Sequence, residues 1–453
     1  MQIPKNINSY SAYDIAQLLH NKKISPIELV NYYYDKIESF SRPNPYTILS
    51  KERALIEAEN SHNRLQENNP LSPFDGVPVA WKDLFDFENF TTVGGSMSLR
   101  DNSPAKKDAT TVNLAKKAGL IQLGKTATVE LALGGLGTNS NFITPENTIM
   151  HDIARVPGGS SSGSGVALSS SLCAASFGTD TGGSVRIPAC WNRLIGLKTS
   201  IGRISLDGVL ELASSYDTVG PLAKSVKDIS ILFSILSETA YFNFEKLNHK
   251  NIKLIFAKGM LIENCDNEVL DVIELTVNKL SKAGVSIIEK KITEIEEMHK
   301  LLLEHNGGTT IAEAYNKWNK IVDKNANLFD KNVLNRMLKG KKVNKSSLKK
   351  IYEAEDYFFK ELNNNYESCD AFIMPTIPIL PPEIHKVENN EKVYDHYNAL
   401  ALRNTRIANS LKMCAITLPC PTDLPIGLMI CMHKNNDEKL INLAESLNNI
   451  IKG

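Results

Sequence analysis

Two short clusters of glycine and serine contain the residue types and spacing that best suit chemistry in this sequence. They lie at positions 158–165 and 182–184 and are separated by 12 small and apolar residues at 166–177. Glycine loses much backbone entropy on folding, so dense glycine marks places where the chain adopts positive φ or lies close to another group. The serines supply hydroxyl groups, and the glycines leave N–H groups free to face a ligand. The pattern predicts an active site made of two hydroxyl-bearing turns joined by one packed helix.

Two familiar sites based on glycine and serine fit this stretch poorly. A phosphate-binding loop ends in Lys-Ser or Lys-Thr, and 158–165 lacks that ending. A nucleophile elbow needs G-x-S-x-G directly after a strand, and a histidine base in a later loop. Residues 159–163 match this pattern around Ser161, but the residues before them make a poor strand, and no histidine lies between His151 and His249. Both interpretations are therefore disfavoured.

A third mechanism uses a lysine in place of the histidine. A buried ammonium group loses its proton more easily, and the neutral amine can then activate a serine. Lys82 is the candidate, because it interrupts an apolar run with 79–81 before it and Leu84 and Phe85 after it. A lysine at a strand edge could instead extend to solvent. The presence of the two serine clusters favours the catalytic interpretation.

Three longer motifs resemble those of the amidase signature enzymes. They are Gly-Val-Pro-x-x-x-Lys-Asp at 76–83, Pro-Gly-Gly-Ser-Ser-Ser-Gly-Ser-Gly at 157–165 and Gly-Thr-Asp-Thr-Gly-Gly-Ser-Val-Arg-x-Pro-Ala at 178–189. Shorter matches follow at 196–198, 202–203, 220–221, 374–376 and 425–429. The resemblance covers nearly the whole chain, and motifs of this length in this order are highly specific.

The resemblance implies a role for each residue that matches a catalytic position. Lys82 matches the lysine base, Ser184 the nucleophile and Ser160 the bridging serine. The resemblance also implies a cis peptide bond between Gly159 and Ser160. In this mechanism Ser184 attacks an amide carbonyl while its proton passes through Ser160 to Lys82, and then to the leaving amine. The oxyanion hole is expected to consist of four backbone N–H groups, those of Thr181, Gly182, Gly183 and Ser184.

Other residues are predicted to support the catalytic groups or to contact the substrate. Asp180 and Arg186 flank the nucleophile and are expected to form an ion pair that holds the loop. Ser161 is expected to add a hydrogen bond. The resemblance places four residues near the substrate: Gly95, Ser96, Gly158 and Gly159. Three residues of the variable region could line the pocket, although such residues more often pack or face solvent: Tyr315, Trp318 and Arg336.

The composition is that of a globular protein with a large core, and it argues against several classes of function. Of 453 residues, 42% are apolar and 23% are charged, and 51 basic residues balance 51 acidic ones. A net charge of zero gives no electrostatic basis for binding nucleic acid or a membrane surface. There is no signal-peptide pattern at the N-terminus and no apolar run of about 18 residues. The scattered cysteines form no C-x-x-C pair, so we expect a reducing, cytoplasmic location, no metal and no cofactor.

Alternation of strand and helix patterns predicts the α/β class, with a large, mixed and mostly buried β-sheet flanked by helices. We expect one domain over 1–453, consisting of an N-terminal helical layer at 1–70, a catalytic core at 74–235, a variable helical segment at about 240–370, and core strands with a final helix at 371–453. Helical periodicity is clearest at 225–237, 267–283, 293–305 and 347–363.

The leading functional hypothesis is hydrolysis of a small-molecule amide to a carboxylate and ammonia or an amine, through an acyl-enzyme on Ser184. The alternative is the glutaminase (A) subunit of a tRNA-dependent amidotransferase, although the region after about residue 300 contains no recognised glutamine-binding anchors. A non-catalytic scaffold is disfavoured because Lys82 and Ser160 are present together with Ser184. Specificity in this family resides mainly in the variable region, here about 240–400, so the sequence does not predict which amide is used. The sequence is compatible with a homodimer but contains no motif that specifies one.

Overall fold

A mixed β-sheet runs through the whole molecule. The computed structural model describes residues 3–305 and 308–453, and within them eleven strands form one sheet in the order β1-β3-β2-β4-β6-β5-β10-β11-β9-β7-β8. The strands are β1 (Tyr46–Leu49), β2 (Pro78–Lys82), β3 (Ile121–Thr126), β4 (Ala175–Thr179), β5 (Ile195–Lys198), β6 (Val219–Ala223), β7 (Lys253–Ala257), β8 (Ser286–Lys290), β9 (Ala371–Pro375), β10 (Cys414–Pro419) and β11 (Gly427–Met432). The predicted α/β class, with a large mixed sheet flanked by helices, is confirmed.

Helices cover the sheet, and several of them begin where the sequence supplies a capping serine. The side chains of Ser11, Ser25 and Ser225 each accept a hydrogen bond from the amide of the third residue of the helix that follows, and the acidic side chain of that third residue accepts one from the amide of the capping serine. The helices are α1 (Ala12–His20), α2 (Pro26–Glu38), α3 (Lys51–Gln66), α4 (Thr110–Lys117), α5 (Ser162–Ser169), α6 (Arg186–Trp191), α7 (Val226–Ser237), α8 (Asn267–Lys282), α9 (Thr293–Glu304), α10 (Thr309–Asn325), α11 (Lys331–Gly340), α12 (Lys345–Asn365), α13 (Ile384–Glu388), α14 (Glu391–Ser410) and α15 (Asp437–Lys452). All four helices with clear periodicity are found within about two residues of the predicted ends.

Three neighbouring parallel strands create the edge of the sheet that carries the candidate site. Strand β2 pairs in parallel with β3 on one side and β4 on the other, so their carboxyl ends meet at one edge. Every residue of β2 and β4 is buried, and Trp81 of β2 stacks on Phe177 of β4 with ring centroids 4.1 Å apart. The strands therefore end rigidly side by side, at Lys82 and Thr179.

The apolar run at 166–177 does not form the single helix that we expected. Helix α5 ends at Ser169, Ser171 adopts a left-handed conformation with φ of 55°, and the chain enters β4 at Ala175. A strand forms here because β4 pairs with both β2 and β6 and so completes the centre of the sheet. The local run of apolar residues fits a buried strand as well as a buried helix, and the long-range pairing selects the strand.

The segments expected to be purely helical also contribute strands. The N-terminal layer contains β1, which pairs with β3, and the variable segment contains β7 and β8, which extend the sheet beside β9. Strand β8 is hard to recognise because it lies at the sheet edge and four of its five residues are exposed. Helices α10 and α11 pack over the site end of the sheet, where Ile311 and Met337 share a hydrophobic cluster with Leu131, Leu212 and Tyr216. None of the described helices is long and apolar enough to cross a membrane.

Candidate active site

Lys82 is a fully buried lysine whose hydrogen bonds go to two hydroxyl groups. Its Nζ lies 2.7 Å from Ser160 Oγ and 2.8 Å from Thr179 Oγ1. The adjacent parallel strands bring Lys82 and Thr179 together, and the loop before α5 places Ser160 above them. Among the described residues, no carboxylate lies within ion-pair distance of this amine. The geometry thus joins a buried amine to a serine of the first glycine–serine cluster.

Burial lowers the pKa of Lys82 to about 7, because the charged form has lost its water. The negative charges of Asp217 and Asp180 oppose this shift from a distance. Each of these carboxylates has closer partners. Asp217 accepts from the Thr181 hydroxyl and from the Leu212 and Ala213 amides, and Asp180 is paired with an arginine. A substantial fraction of Lys82 is therefore neutral near pH 7, and the neutral amine can accept a proton.

The loop that carries Ser160 is tied to the loop that carries Ser184. The Gly159–Ser160 peptide bond is cis, as the resemblance implied. The amide of Ser161 donates to the carbonyl of Ser184 at 3.3 Å, and the Ser161 hydroxyl donates to the carbonyl of Thr179 at 3.4 Å. Ser160 and Ser161 are fully buried, whereas Ser184 is 4% exposed and lines a cavity. Ser184 is thus the hydroxyl of the three that borders open space.

The Asp180–Arg186 ion pair, predicted from the sequence, is present and wholly buried. Two guanidinium nitrogens of Arg186 donate to the two oxygens of Asp180 at 2.8 and 3.0 Å. This pairing holds the pKa of Asp180 far below its ordinary range despite its burial. Helix α14 adds a third partner, because Asn409 contacts both side chains. The ion pair links the residues on either side of Ser184 and so holds the turn, and neither charge is left unpaired.

The prediction that the Gly183 N–H belongs to the oxyanion hole is wrong. Gly183 donates this N–H to Asp180 Oδ1 at 2.9 Å, so this donor is already used in the turn. Its φ of +132° and the Thr405 side chain, which occupies the space of a Cβ, both require glycine at this position. Three N–H groups of the predicted hole have no acceptor among the described residues: those of Thr181, Gly182 and Ser184. All three residues line the same cavity.

The four residues predicted near the substrate are structural and do not line that cavity. The Ser96 hydroxyl donates to Glu130 at 2.6 Å, and the Gly95 carbonyl accepts from Asn139. The amides of Gly158 and Gly159 donate to the carbonyls of Leu136 and Gly135, so they are not free to bind a ligand. The glycines permit close backbone packing here, which the sequence pattern cannot distinguish from contact with a ligand.

The cavity beside Ser184 is lined in part by residues of the variable segment and of α14. Its walls include Leu212, Ile311 and Leu402, together with the two arginines Arg336 and Arg406. Of the three residues proposed for the pocket, Arg336 does line it. Trp318 instead packs in a hydrophobic cluster and donates to the Glu211 carbonyl, and Tyr315 lies against the same cluster.

The family model "Amidase" matches residues 28–441. This chain belongs to the amidase signature family. It is 31% identical to the A subunit of glutamyl-tRNA(Gln) amidotransferase of Saccharolobus solfataricus, over 97% of this chain and 96% of that one. It is also 27% identical to 2-amino-5-chloromuconic acid deaminase of Comamonas testosteroni, over 98% of this chain and 97% of that one. A solved structure described as a crystal structure of amidase has a TM-score of 0.88, with 25% identity, 98% of this chain and 100% of that chain covered. The protein is therefore a hydrolase that acts on amide bonds.

Several residues of this amidase site were not singled out from the sequence. Thr179 lies within a recognised motif, and its position at the end of a buried strand next to that of Lys82 was the available signal. The sequence indicated less about Asp217 and the α14 residues Thr405 and Asn409. The i, i+4 spacing of the two α14 residues does place them on one face of the helix. Thr405 donates to the Gly182 carbonyl at 2.7 Å and thereby orients the turn. Among the described residues, no cluster of His, Cys, Asp and Glu could hold a metal ion.

Proposed function

We propose that this amidase hydrolyses the C–N bond of a small carboxylic acid amide, with Ser184 as the nucleophile and Lys82 as the base. Ser184 Oγ attacks the carbonyl carbon, while its proton moves to Ser160 and the Ser160 proton moves to neutral Lys82. The amides of Thr181, Gly182 and Ser184 stabilise the oxyanion, and each such donor contributes roughly 3 kcal/mol where it has been measured.

Breakdown of the tetrahedral adduct returns the proton. Lys82 gives it back through Ser160 to the leaving nitrogen, the C–N bond breaks, and ammonia or an amine departs from an ester on Ser184. A water molecule then attacks that ester, again losing its proton through the relay. The C–O bond to Ser184 breaks, and Ser184 recovers its proton. The sum is amide plus water giving carboxylic acid plus amine.

The observation that carries the proposal is the environment of Lys82. Its amine is buried, contacts hydroxyl groups rather than carboxylates, and has a pKa lowered to about 7. A base works best when its pKa lies near the working pH. Lys198 is equally buried and also lacks a carboxylate partner among the described residues, but its amine donates to the backbone carbonyls of Thr199 and Met413, so the contact with a serine hydroxyl is what distinguishes Lys82.

The proposal is tested by labelling with a fluorophosphonate, read by intact mass, for the wild type, Ser184→Ala, Lys82→Ala and the control Ser161→Ala. We expect rapid single labelling of the wild type and of Ser161→Ala, none of Ser184→Ala, and slowing of Lys82→Ala by roughly 10²–10⁴-fold. Labelling that persists in Ser184→Ala would refute the assignment of the nucleophile and favour the elbow centred on Ser161.

A second candidate function is the glutaminase component of a tRNA-dependent amidotransferase. The similarity to the amidotransferase chain from Saccharolobus solfataricus, over almost the full length of both chains, favours it. Such a component would act with partner chains and tRNA. Co-purification of the tagged chain with other subunits, together with tRNA-dependent use of glutamine, would support this function, and hydrolysis of free small amides by the purified chain alone would argue against it.

A further inference from the structure

Two arginines face the cavity that contains Ser184. Arg336 comes from α11 and Arg406 from α14, so two separate helices bring two positive charges to the cavity. Burial lowers the pKa of Arg406 to about 10, and the charge of Arg336 contributes to that shift. The two guanidinium groups therefore repel each other across a partly desolvated space.

The Nε of Arg336 is buried and has no hydrogen-bond partner among residues 3–305 and 308–453. The negative charge of Asp395 acts on Arg336, but Asp395 already forms an ion pair with Lys339. On the side of α14, Arg403 and His299 add further basic groups near Arg406. A half-buried guanidinium whose buried Nε lacks an acceptor is destabilised, and a carboxylate offers two oxygens that match its planar donors. An anion in the cavity would supply an acceptor for Arg336 and would weaken the repulsion between Arg336 and Arg406.

The same cavity lacks a partner for a positive charge. Apart from its two arginines, the described lining residues are uncharged, and none is Asp or Glu. The ammonium group of an α-amino acid would thus meet two guanidinium groups and no carboxylate. The charges that line the cavity therefore favour an amide that carries a carboxylate and no ammonium group over an amino acid amide such as glutamine.

We propose that the substrate is a monoamide of a dicarboxylic acid without an amino group. Its free carboxylate binds Arg336 and Arg406, while its amide carbonyl lies at Ser184. The inference rests on the proposed function of Ser184, because the arginines are placed relative to that nucleophile. It names the substrate class for the same site.

The test compares matched substrates on the full chain. The probes are the unbranched monoamides from malonamate to adipamate, the neutral methyl ketone that replaces each carboxylate, and asparagine and glutamine, which are succinamate and glutaramate with an added ammonium group. We expect one monoamide to exceed its neutral analogue in kcat/KM by about 100-fold, and we expect succinamate and glutaramate to exceed asparagine and glutamine, respectively, by at least about 10-fold. Equal rates on the neutral analogues, or a preference for glutamine, would overturn the inference.

Variants of Arg336 test whether this side chain binds the carboxylate of the substrate. Arg336→Gln is expected to raise KM for the monoamide by roughly 10–100-fold and to change kcat by less than about threefold, with partial recovery in Arg336→Lys. Lys342→Gln, at an exposed lysine just beyond the same helix, is the matched control for loss of one positive charge. A loss in Arg336→Gln that is equal for the monoamide and its neutral analogue would contradict a binding role.

A measurement on the wild type keeps the test independent of these variants. The dicarboxylate product should slow fluorophosphonate labelling of Ser184 at concentrations where the matching monocarboxylate does not. If Ser184 is labelled but neither protection nor monoamide hydrolysis occurs, the substrate class is wrong and the proposed nucleophile stands. If Ser184 is not labelled at all, the proposed function itself fails.

Discussion

Lys82 and Lys125 are two lysines in the same buried end of the sheet, and they differ in their partners. Lys82 contacts the hydroxyls of Ser160 and Thr179, whereas Lys125 Nζ lies 2.7 Å from Asp83 Oδ1. Strands β2 and β3 are neighbours, and Asp83 directly follows Lys82 in the chain. A carboxylate partner holds a lysine in its charged form, while hydroxyl partners leave it able to lose the proton. Burial alone therefore does not make a lysine a base, and the choice of neighbour does.

The largest difference is expected in catalysis. Lys82→Met should lower kcat for amide hydrolysis by roughly 10²–10⁴-fold, because the relay loses its proton acceptor. Lys125→Met serves as the matched control, since it removes an equally buried lysine that does not contact the serines. Rates are to be compared per folded molecule, with folding checked by circular dichroism. Similar kcat losses in both variants would mean that the two lysines do not differ in role.

The next effect concerns stability, where we expect the larger loss for the Lys125 variant and not for the Lys82 variant. Lys125→Met leaves the buried Asp83 without its partner, so we expect the free energy of unfolding to fall by roughly 3–5 kcal/mol. Urea denaturation measures the change. The double variant Lys125→Met with Asp83→Asn should recover part of the loss, because it removes the unpaired charge as well. An unchanged urea midpoint in the single variant would show that the ion pair contributes little.

The smallest effect is a shift in pH dependence, expected when Lys82 is given a carboxylate neighbour of the kind that contacts Lys125. The pKa of Lys82 is lowered to about 7, and the neutral amine is the active form, so kcat/KM should rise as the pH increases through about 7. Thr179→Asp places a carboxylate beside Nζ and should move that rise to higher pH by roughly 1–3 units.

Thr179→Asn, which has the same shape without the charge, is expected to keep the rise near pH 7. The measurement is the pH profile of kcat/KM for all three proteins. An identical profile for Thr179→Asp and Thr179→Asn would show that the rise does not report the proton on Lys82.

Much of the site was predictable because its motifs are local. The serines of both clusters, the Asp180–Arg186 pair and the interrupted apolar strand at Lys82 all lie within short segments whose spacing is read directly from the chain. The α/β class and most helix ends follow from hydrophobic periodicity and capping residues. The errors arose where one pattern fits two structures, as at 166–177, where only pairing with β2 and β6 makes a strand.

The sequence by itself determined which residues could do the chemistry: a lysine within an apolar strand, two hydroxyl-bearing turns and the glycines that shape them. Only the tertiary structure decided how those groups are used. It occupied the Gly183 amide with Asp180, turned Ser96 toward Glu130, and brought Arg336 and Arg406 to the cavity from separate helices. The physical reason is that local spacing limits backbone conformation, whereas the partners of a buried polar group come from distant segments and depend on the packing of the whole fold.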